Sequence, residues 1–430
     1  MVINKSGIVL GATAIALSTV AFTGTGIHFS RSQAFFQESP KELVDEVWQI
    51  IDHQYVDKDF NQLDWQNVRL DYLERSYGDK EEAYDAVREM LEQLEDPYTR
   101  FMDPEEFKNM QIDTSGELTG VGIQIAKDEE TDRLMVIAPI EDTPAFEAGI
   151  LAKDIITKID GVDTEGMEVN DAVKLIRGKP GSSVTLTIER DRGETNYEIV
   201  RSRIQIHPVK ASLEDTEIGK VGYIRLTQFS AQASQEMREA IEELESQDIN
   251  GYILDLRSNP GGLLYASVDI ARMWLQEGTI VSTVDREGES ERKWANNKAL
   301  TDKPLVILID GGSASASEIL SGALQDNDRA VLVGTQTFGK GLVQSVRSLG
   351  DGSGLAVTIA KYLTPSGRDI NKEGIPPDFI VELAEEERKQ LQSDLTLIGS
   401  SEDPQFTKAI EILGREIQAQ NKPLEQASEP

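Results

Sequence analysis

From residue 211 to about 383 the chain alternates short, almost wholly apolar runs with amphipathic stretches. Residues 221–226, 251–256, 304–309 and 330–334 are strand-length runs dominated by Val, Ile and Leu. Between them, 232–247, 263–275 and 314–324 carry apolar residues at helical spacing. Strands with no polar face must be covered on both sides, so this pattern predicts an α/β core whose sheet is buried between helices. A hairpin of 342–346 with 355–362 across glycines 350–354 closes the region. Ligands of such sheets bind beyond the strand ends. Two glycine-rich turns stand there, Asn259-Pro260-Gly261-Gly262 and Gly311-Gly312-Ser313-Ala314-Ser315.

The core, taken as 211–385, is preceded by two regions of different character. Residues 113–206 read as a compact domain of short strands (121–126, 134–137, 154–159, 184–189, 197–200) and two helices (144–148, 169–176), with Asp160-Gly161 as a turn. Residues 39–112 read as helical. Ser39-Pro40 is an N-cap with proline at the first helical position, and Leu43, Val47, Ile50 and Ile51 share one face. A second helix is expected near 65–77, and a third through Val87, Met90 and Leu94 that ends before Asp96-Pro97. These helices read as packing elements. Residues 386–430 form a helical tail, expected to fray from 418 onward. The N-terminal helices and this tail are the candidate surfaces for homo-oligomer formation.

Residues 1–34 contain no acidic side chain, and Lys5 precedes an apolar stretch, 7–22. That is the order of a targeting segment. It reads as a signal peptide ending near Ser32-Gln33-Ala34, or as an uncleaved anchor that keeps residues 7–22 at a membrane, although a spanning helix wants about 20 residues. The protein is therefore expected to be exported.

The chain has no cysteine, which excludes disulfides, thiolate metal sites and thiol nucleophiles. A net charge of −33 argues against nucleic acid as a partner. The three histidines are His28, His53 and His207, so the core must work without imidazole.

Gly311-Gly312-Ser313-Ala314-Ser315-Ala316-Ser317-Glu318 sets three serines at a strand-to-helix turn. Ser315 and Glu318 also fit a capping box, in which both merely satisfy backbone N–H groups. A serine at a helix N-terminus equally has unpaired donors and the positive end of the helix dipole beside it, which suits an oxyanion. A serine nucleophile needs a base, and without histidine the usual alternative is lysine. Lys340 in Phe338-Gly339-Lys340-Gly341 is bracketed by glycines and apolar residues. An ordinary lysine titrates near 10.4, so acting near pH 7 requires roughly 4–5 kcal/mol in favour of its neutral form, which burial can supply. Gln344 can hold the amine by a hydrogen bond. In an ideal strand it would stand about 13 Å from Lys340, so sharing a site requires side-chain reach or a bend at Gly341.

Within 113–206, Leu118-Thr119-Gly120-Val121-Gly122-Ile123 resembles the carboxylate-binding loop of a PDZ domain, as do the following Pro144-Ala145-Phe146-Glu147-Ala148-Gly149-Ile150 and Ile159-Asp160-Gly161. Leu118, Gly120, Val121, Gly122 and Ile123 are the candidate peptide-binding residues. A glycine-rich loop can turn several N–H groups on one carboxylate while the peptide adds a strand to a sheet edge.

With Thr-Phe-Gly-Lys-Gly following Ser315 by 25 residues, then Gln344, Asp96-Pro97-Tyr98-Thr99 and the run Leu254 to Leu263, the chain after residue 40 closely resembles the carboxyl-terminal processing peptidases, which are Ser-Lys endopeptidases. The resemblance implies Ser315 as nucleophile, Lys340 as general base, Gln344 as the residue orienting it, and an oxyanion hole from Ala316 with Gly261 or Gly262. It also implies a core similar to Clp proteases and enoyl-CoA hydratases, protein substrates with apolar C-termini, a periplasmic or thylakoid-lumen setting, and no metal or cofactor; because an empty PDZ domain can occlude the cleft, substrate-gated activity is expected as well. Two rival readings are a non-catalytic PDZ scaffold and a hydratase-like enzyme acting on acyl thioesters. Neither needs Lys340.

Overall fold

The apolar runs form one six-stranded sheet. A computed structural model of the chain describes residues 39–420 apart from 129–130, 141 and 191–192. The targeting segment, its apolar run 7–22, and 421–430 of the expected tail lie outside the described residues. The strands run in the order Val209–Thr216, Gly219–Leu226, Gly251–Asp255, Leu305–Ile309, Val331–Gly334, Phe379–Ile380. The first pair is antiparallel and the rest are parallel.

Alternate side chains point to opposite faces of a strand, which explains why these strands carry no polar face. Ile224, Leu254, Ile307 and Leu332 pack with Met237, Ile241, Ile270, Trp274, Ile319 and Leu320 from the helices Ala233–Glu245, Leu264–Trp274 and Ala316–Asp326. Val221, Ile253, Val306, Leu308 and Val333 pack with Phe406, Ala409, Ile410 and Leu413 of the helix Pro404–Gln420. The segment expected as a helical tail thus supplies the second covering layer, and it stays helical through Gln420 instead of fraying from 418.

That helix is pinned by a buried ion cluster. Arg257 Nη2 bonds Asp255 Oδ2 at 2.6 Å and Asp403 Oδ2 at 2.7 Å, and Tyr223 Oη donates to Asp255 at 2.7 Å. Asp255 and Asp403 are fully buried.

A second, antiparallel sheet was only half legible. Its strands run Arg100–Met102, Gly354–Leu363, Thr279–Asp285, Gly288–Trp294, and Leu342–Ser348 also pairs with Gly354–Leu363. The expected hairpin is there. The 279–294 hairpin and the strand at 100–102 were not anticipated, because Glu-Ser-Glu-Arg-Lys shows no two-residue alternation and three residues are too few to carry one.

The helices Pro40–Gln54 and Lys80–Glu92 pack Val47, Ile51, Val87, Met90 and Leu91 against Leu355 and Val357 of this sheet. The first begins with a capping box: Ser39 Oγ accepts Glu42 N–H at 3.3 Å and Glu42 Oε2 accepts Ser39 N–H at 2.8 Å. The helical region is therefore no separate domain; it joins the described chain from His207 onward in one unit.

Gly116–Ile206 is a second unit. Its sheet runs Ile123–Lys127, Leu134–Pro139, Ile155–Ile159, Ser183–Arg190, Gly193–Val200, around a core of Val136, Ile156, Ile159, Ala172, Leu186 and Ile188. Among the described residues no helix is long and apolar enough to cross a membrane.

Replacing Arg257 with Met would leave two carboxylates buried without their cation. We expect a loss of about 3–5 kcal/mol, read as a lower urea midpoint; an unchanged midpoint would show that the cluster does not hold the last helix.

Candidate active site

The two glycine-rich turns meet. Ala314 N–H and Ser317 Oγ both donate to Asn259 O, at 3.0 and 2.9 Å. Ser313 Oγ donates to Leu256 O at 2.8 Å. Two of the three serines are thus committed to fastening one turn to the other. Ser315 Oγ is different: it is buried and has no hydrogen-bond partner among the described residues. Its backbone stands at φ 54°, ψ −110°, at the head of the helix Ala316–Asp326. A residue with a Cβ rarely adopts such a conformation, which costs about 1–3 kcal/mol and gathers at functional sites.

Only half of the expected capping box forms. Glu318 Oε2 accepts Ser315 N–H at 2.8 Å, but Glu318 N–H goes to the Ser315 carbonyl at 2.9 Å and not to its hydroxyl. Glu318 does more than cap. Its Oε1 accepts Thr337 Oγ1 at 2.6 Å and Gly339 N–H at 2.7 Å, and its Oε2 also accepts Lys340 N–H at 2.8 Å. One carboxylate oxygen therefore holds the amides of both Ser315 and Lys340. The carboxylate is fully buried, and burial raises its pKa against the pull of those donors. Sequence reasoning read Glu318 as a cap. The signal available was a cap position inside an otherwise apolar helix face.

Lys340 has no exposed surface. Its pKa is pushed down to about 8, chiefly by burial and next by the Arg100 cation, with Glu318 and Asp96 pulling the other way. Lys340 and Gln344 do not lie on one regular strand. The strand Leu342–Ser348 begins after Gly341, and its pairing with Gly354–Leu363 skips Ile359, opposite Val343 and Gln344. A side chain at Gly341 would meet the backbone of Asn371 at 2.6 Å, so the bend there needs glycine. Gln344 is fully buried, and its Oε1 has no hydrogen-bond partner among the described residues.

The bonds of the serine turn leave the Ala316 N–H without an acceptor among the described residues. A Cβ on Gly261 would meet Ala314 O at 2.6 Å and both Ala316 N and Ser315 Cβ at 2.9 Å. Gly261 therefore lies directly against the serine turn, while the backbone of Phe229 crowds Gly262. The Gly261 amide is held by Asn259 Oδ1 at 2.9 Å.

In the Gly116–Ile206 unit, the expected strand 121–126 begins only at Ile123. Leu118 and Gly120 instead lie in the strand Glu117–Gly120, paired with Ile204 and Ser202. The turn is confined to Val121 and Gly122, with Gly122 at φ +85° against Thr143. Ile123–Lys127 is an edge strand bonded to Leu134–Pro139, and among the described residues no strand pairs with its other side.

Comparisons with known proteins identify both units. Residues 220–381 match peptidase family S41, and residues 135–190 match a PDZ domain. The chain is 47% identical over 381 residues to a carboxyl-terminal-processing protease of Synechocystis sp., covering 88% of this chain and 87% of that one. It is 41% identical over 345 residues to carboxyl-terminal-processing peptidase 2, chloroplastic, of Arabidopsis thaliana, covering 77% and 67%. Among solved structures it resembles a photosystem II D1 C-terminal processing protease at 35% identity and a TM-score of 0.58, over 86% of this chain and 100% of that one.

Glu318→Gln keeps the shape but must turn an NH2 group on N–H and O–H donors. We expect Ser315 to react with a fluorophosphonate probe at least about tenfold more slowly, the equivalent of ~1.4 kcal/mol, in protein that still unfolds cooperatively. Wild-type labelling would mean that the shared carboxylate does not align the two turns.

Proposed function

We infer that this chain, which belongs to peptidase family S41 and is a carboxyl-terminal-processing serine protease with a PDZ domain, cleaves its protein substrates by acyl transfer from Ser315 with Lys340 as general base. The observation that carries this reading is the uncommitted Ser315 hydroxyl on a turn whose amide shares one carboxylate oxygen with the amide of a fully buried lysine.

With a pKa of about 8, roughly one lysine in ten is neutral at pH 7, against about one in 10³ for a free side chain. The neutral amine takes the proton of Ser315 as its oxygen attacks the scissile carbonyl. The lysine then protonates the leaving amine, and a water, deprotonated by the same group, releases the acyl-enzyme. The oxyanion is met by Ala316 N–H, at the positive end of a helix, and by an amide of the Gly261–Gly262 turn. Gly261 is the nearer of the two to Ser315, but its N–H is engaged by Asn259 Oδ1 at 2.9 Å.

The substrate's apolar C-terminus is taken by the PDZ unit. Its chain adds to the free edge of Ile123–Lys127, and its carboxylate meets the Val121–Gly122 turn beside Leu118, Gly120 and Ile123. The parallel sheet with helices on both faces supports a likeness to the cores of Clp proteases and enoyl-CoA hydratases. Cyanobacterial and chloroplastic relatives, together with the charge pattern of residues 1–34, support export to a periplasm or thylakoid lumen.

The test is cleavage of an unfolded protein ending in apolar residues. Ser315→Ala and Lys340→Ala should each lower kcat by about 10³ or more. Lys340→Arg should not restore it, because a guanidinium stays charged. Since the base works when neutral, log(kcat/KM) should rise with pH and level off near 8. Amidating the substrate's C-terminus should raise KM. Cleavage surviving in both alanine variants would contradict the reading.

A further inference from the structure

We propose that the turn Asp96-Pro97-Tyr98-Thr99 is a positioning element of the reaction site: Asp96, acting through the hydroxyl of Thr358, decides which end of the Gln344 carboxamide is presented to Lys340. The inference rests on Ser315 and Lys340 being the reacting pair.

Gln344 and Thr358 are directly opposed on the antiparallel strands Leu342–Ser348 and Gly354–Leu363, and both are buried. The two ends of a carboxamide have nearly the same shape and opposite chemistry. A hydroxyl opposite it accepts either end, since it can donate to the oxygen or accept from the NH2. Asp96 removes that freedom. A carboxylate only accepts, and Asp96 Oδ2 takes the hydroxyls of Thr358 at 2.6 Å and Thr99 at 2.7 Å. The single proton of Thr358 is thereby committed. Toward Gln344 it can only accept, and it does so from Nε2 at 3.4 Å. The committed hydroxyl of Thr99 in turn accepts Thr358 N–H at 3.0 Å, which fastens the turn to the strand.

The outcome is that Gln344 Oε1 faces away from Thr358, buried and unpartnered. It is an acceptor suited to an amine N–H; holding one N–H there would aim the nitrogen lone pair. The same turn reaches Lys340 itself. Tyr98 N–H is tied to Asp96 Oδ1 at 3.0 Å, and the Tyr98 ring lies under Lys340 Nζ at 4.8 Å from its centroid. The ring helps to keep water from the amine. The charged groups acting on Lys340 are Arg100, Glu318 and Asp96, with Tyr98 beside them. All but Glu318 come from residues 96–100. The N-terminal helical region, which the sequence presents as packing, therefore delivers part of the site from more than two hundred residues away.

The experiment uses the full-length protein, with kcat and KM on the apolar-tailed substrate and the pH dependence of Ser315 acylation by a fluorophosphonate. Thr358→Val should lower kcat at least about tenfold with KM unchanged, and Thr358→Ser should restore most of it. Tyr98→Ala admits water, so the amine holds its proton more tightly and the pH profile should move up by about half a unit or more; Tyr98→Phe should restore it. Asp96→Asn serves if Thr358→Val fails to fold. It removes a negative charge near the ammonium, so the profile should move to lower pH while kcat falls. The proposal is overturned if Thr358→Val or Asp96→Asn keeps wild-type kcat, if Thr358→Ser behaves like Val, or if Tyr98→Ala leaves the profile in place. Ser315→Ala and Lys340→Ala are measured alongside. If either keeps cleaving, the Ser-Lys reading itself fails. If both are inactive while Thr358→Val is normal, only the positioning role fails.

Discussion

A lysine amine with no exposed surface is the constraint on which this site depends. Burying an ammonium is costly, and a buried amine answers by releasing its proton more readily. The surroundings of Lys340 work with that tendency. Burial is the largest influence on its titration and Arg100 adds to it, outweighing Glu318 and Asp96. In a core without histidine or cysteine, the base we propose is a group that elsewhere would be a solvated surface charge.

The second requirement is that the buried negative charges do not undo this. Glu318 meets it by distributing its two oxygens over four donors, three of them backbone amides. Its charge is satisfied by rigid groups, and in satisfying it those groups are brought together. The serine turn needs the same rigidity, because Ser315 sits in a backbone conformation that is unfavourable by itself. Ser313 and Ser317, fastened to Leu256 and Asn259, hold the turn while Ser315 is left uncommitted. The buried cluster of Arg257 with Asp255 and Asp403 anchors the same strand end from the other face of the sheet.

What the sequence made legible follows from range. The parallel strands announce themselves because a strand covered on both faces is apolar throughout, and that signal is local. The lack of imidazole in the core and the glycines around Lys340 point to a lysine base, while the choice of Ser315 among the three serines of its turn comes from the family resemblance. The rest is long-range. Nothing near Asp96 says that its carboxylate will meet Thr358, and the helices around it are read as packing because their pattern is that of packing. Glu318 was hidden by an adequate local explanation, a cap, which the structure retains in part. The 279–294 hairpin is hidden because its second strand shows no alternation, and the covering role of Pro404–Gln420 because the strands it packs on lie far away along the chain.

The central claim is that Lys340 titrates near 8, far below an ordinary lysine, and its titration can be followed directly. In Ser315→Ala protein labelled at the lysine side chains, with the resonance assigned by its loss in Lys340→Arg, NMR should show the Lys340 amine titrating at about 8. Titration near 10.4, the ordinary lysine value, would contradict the account.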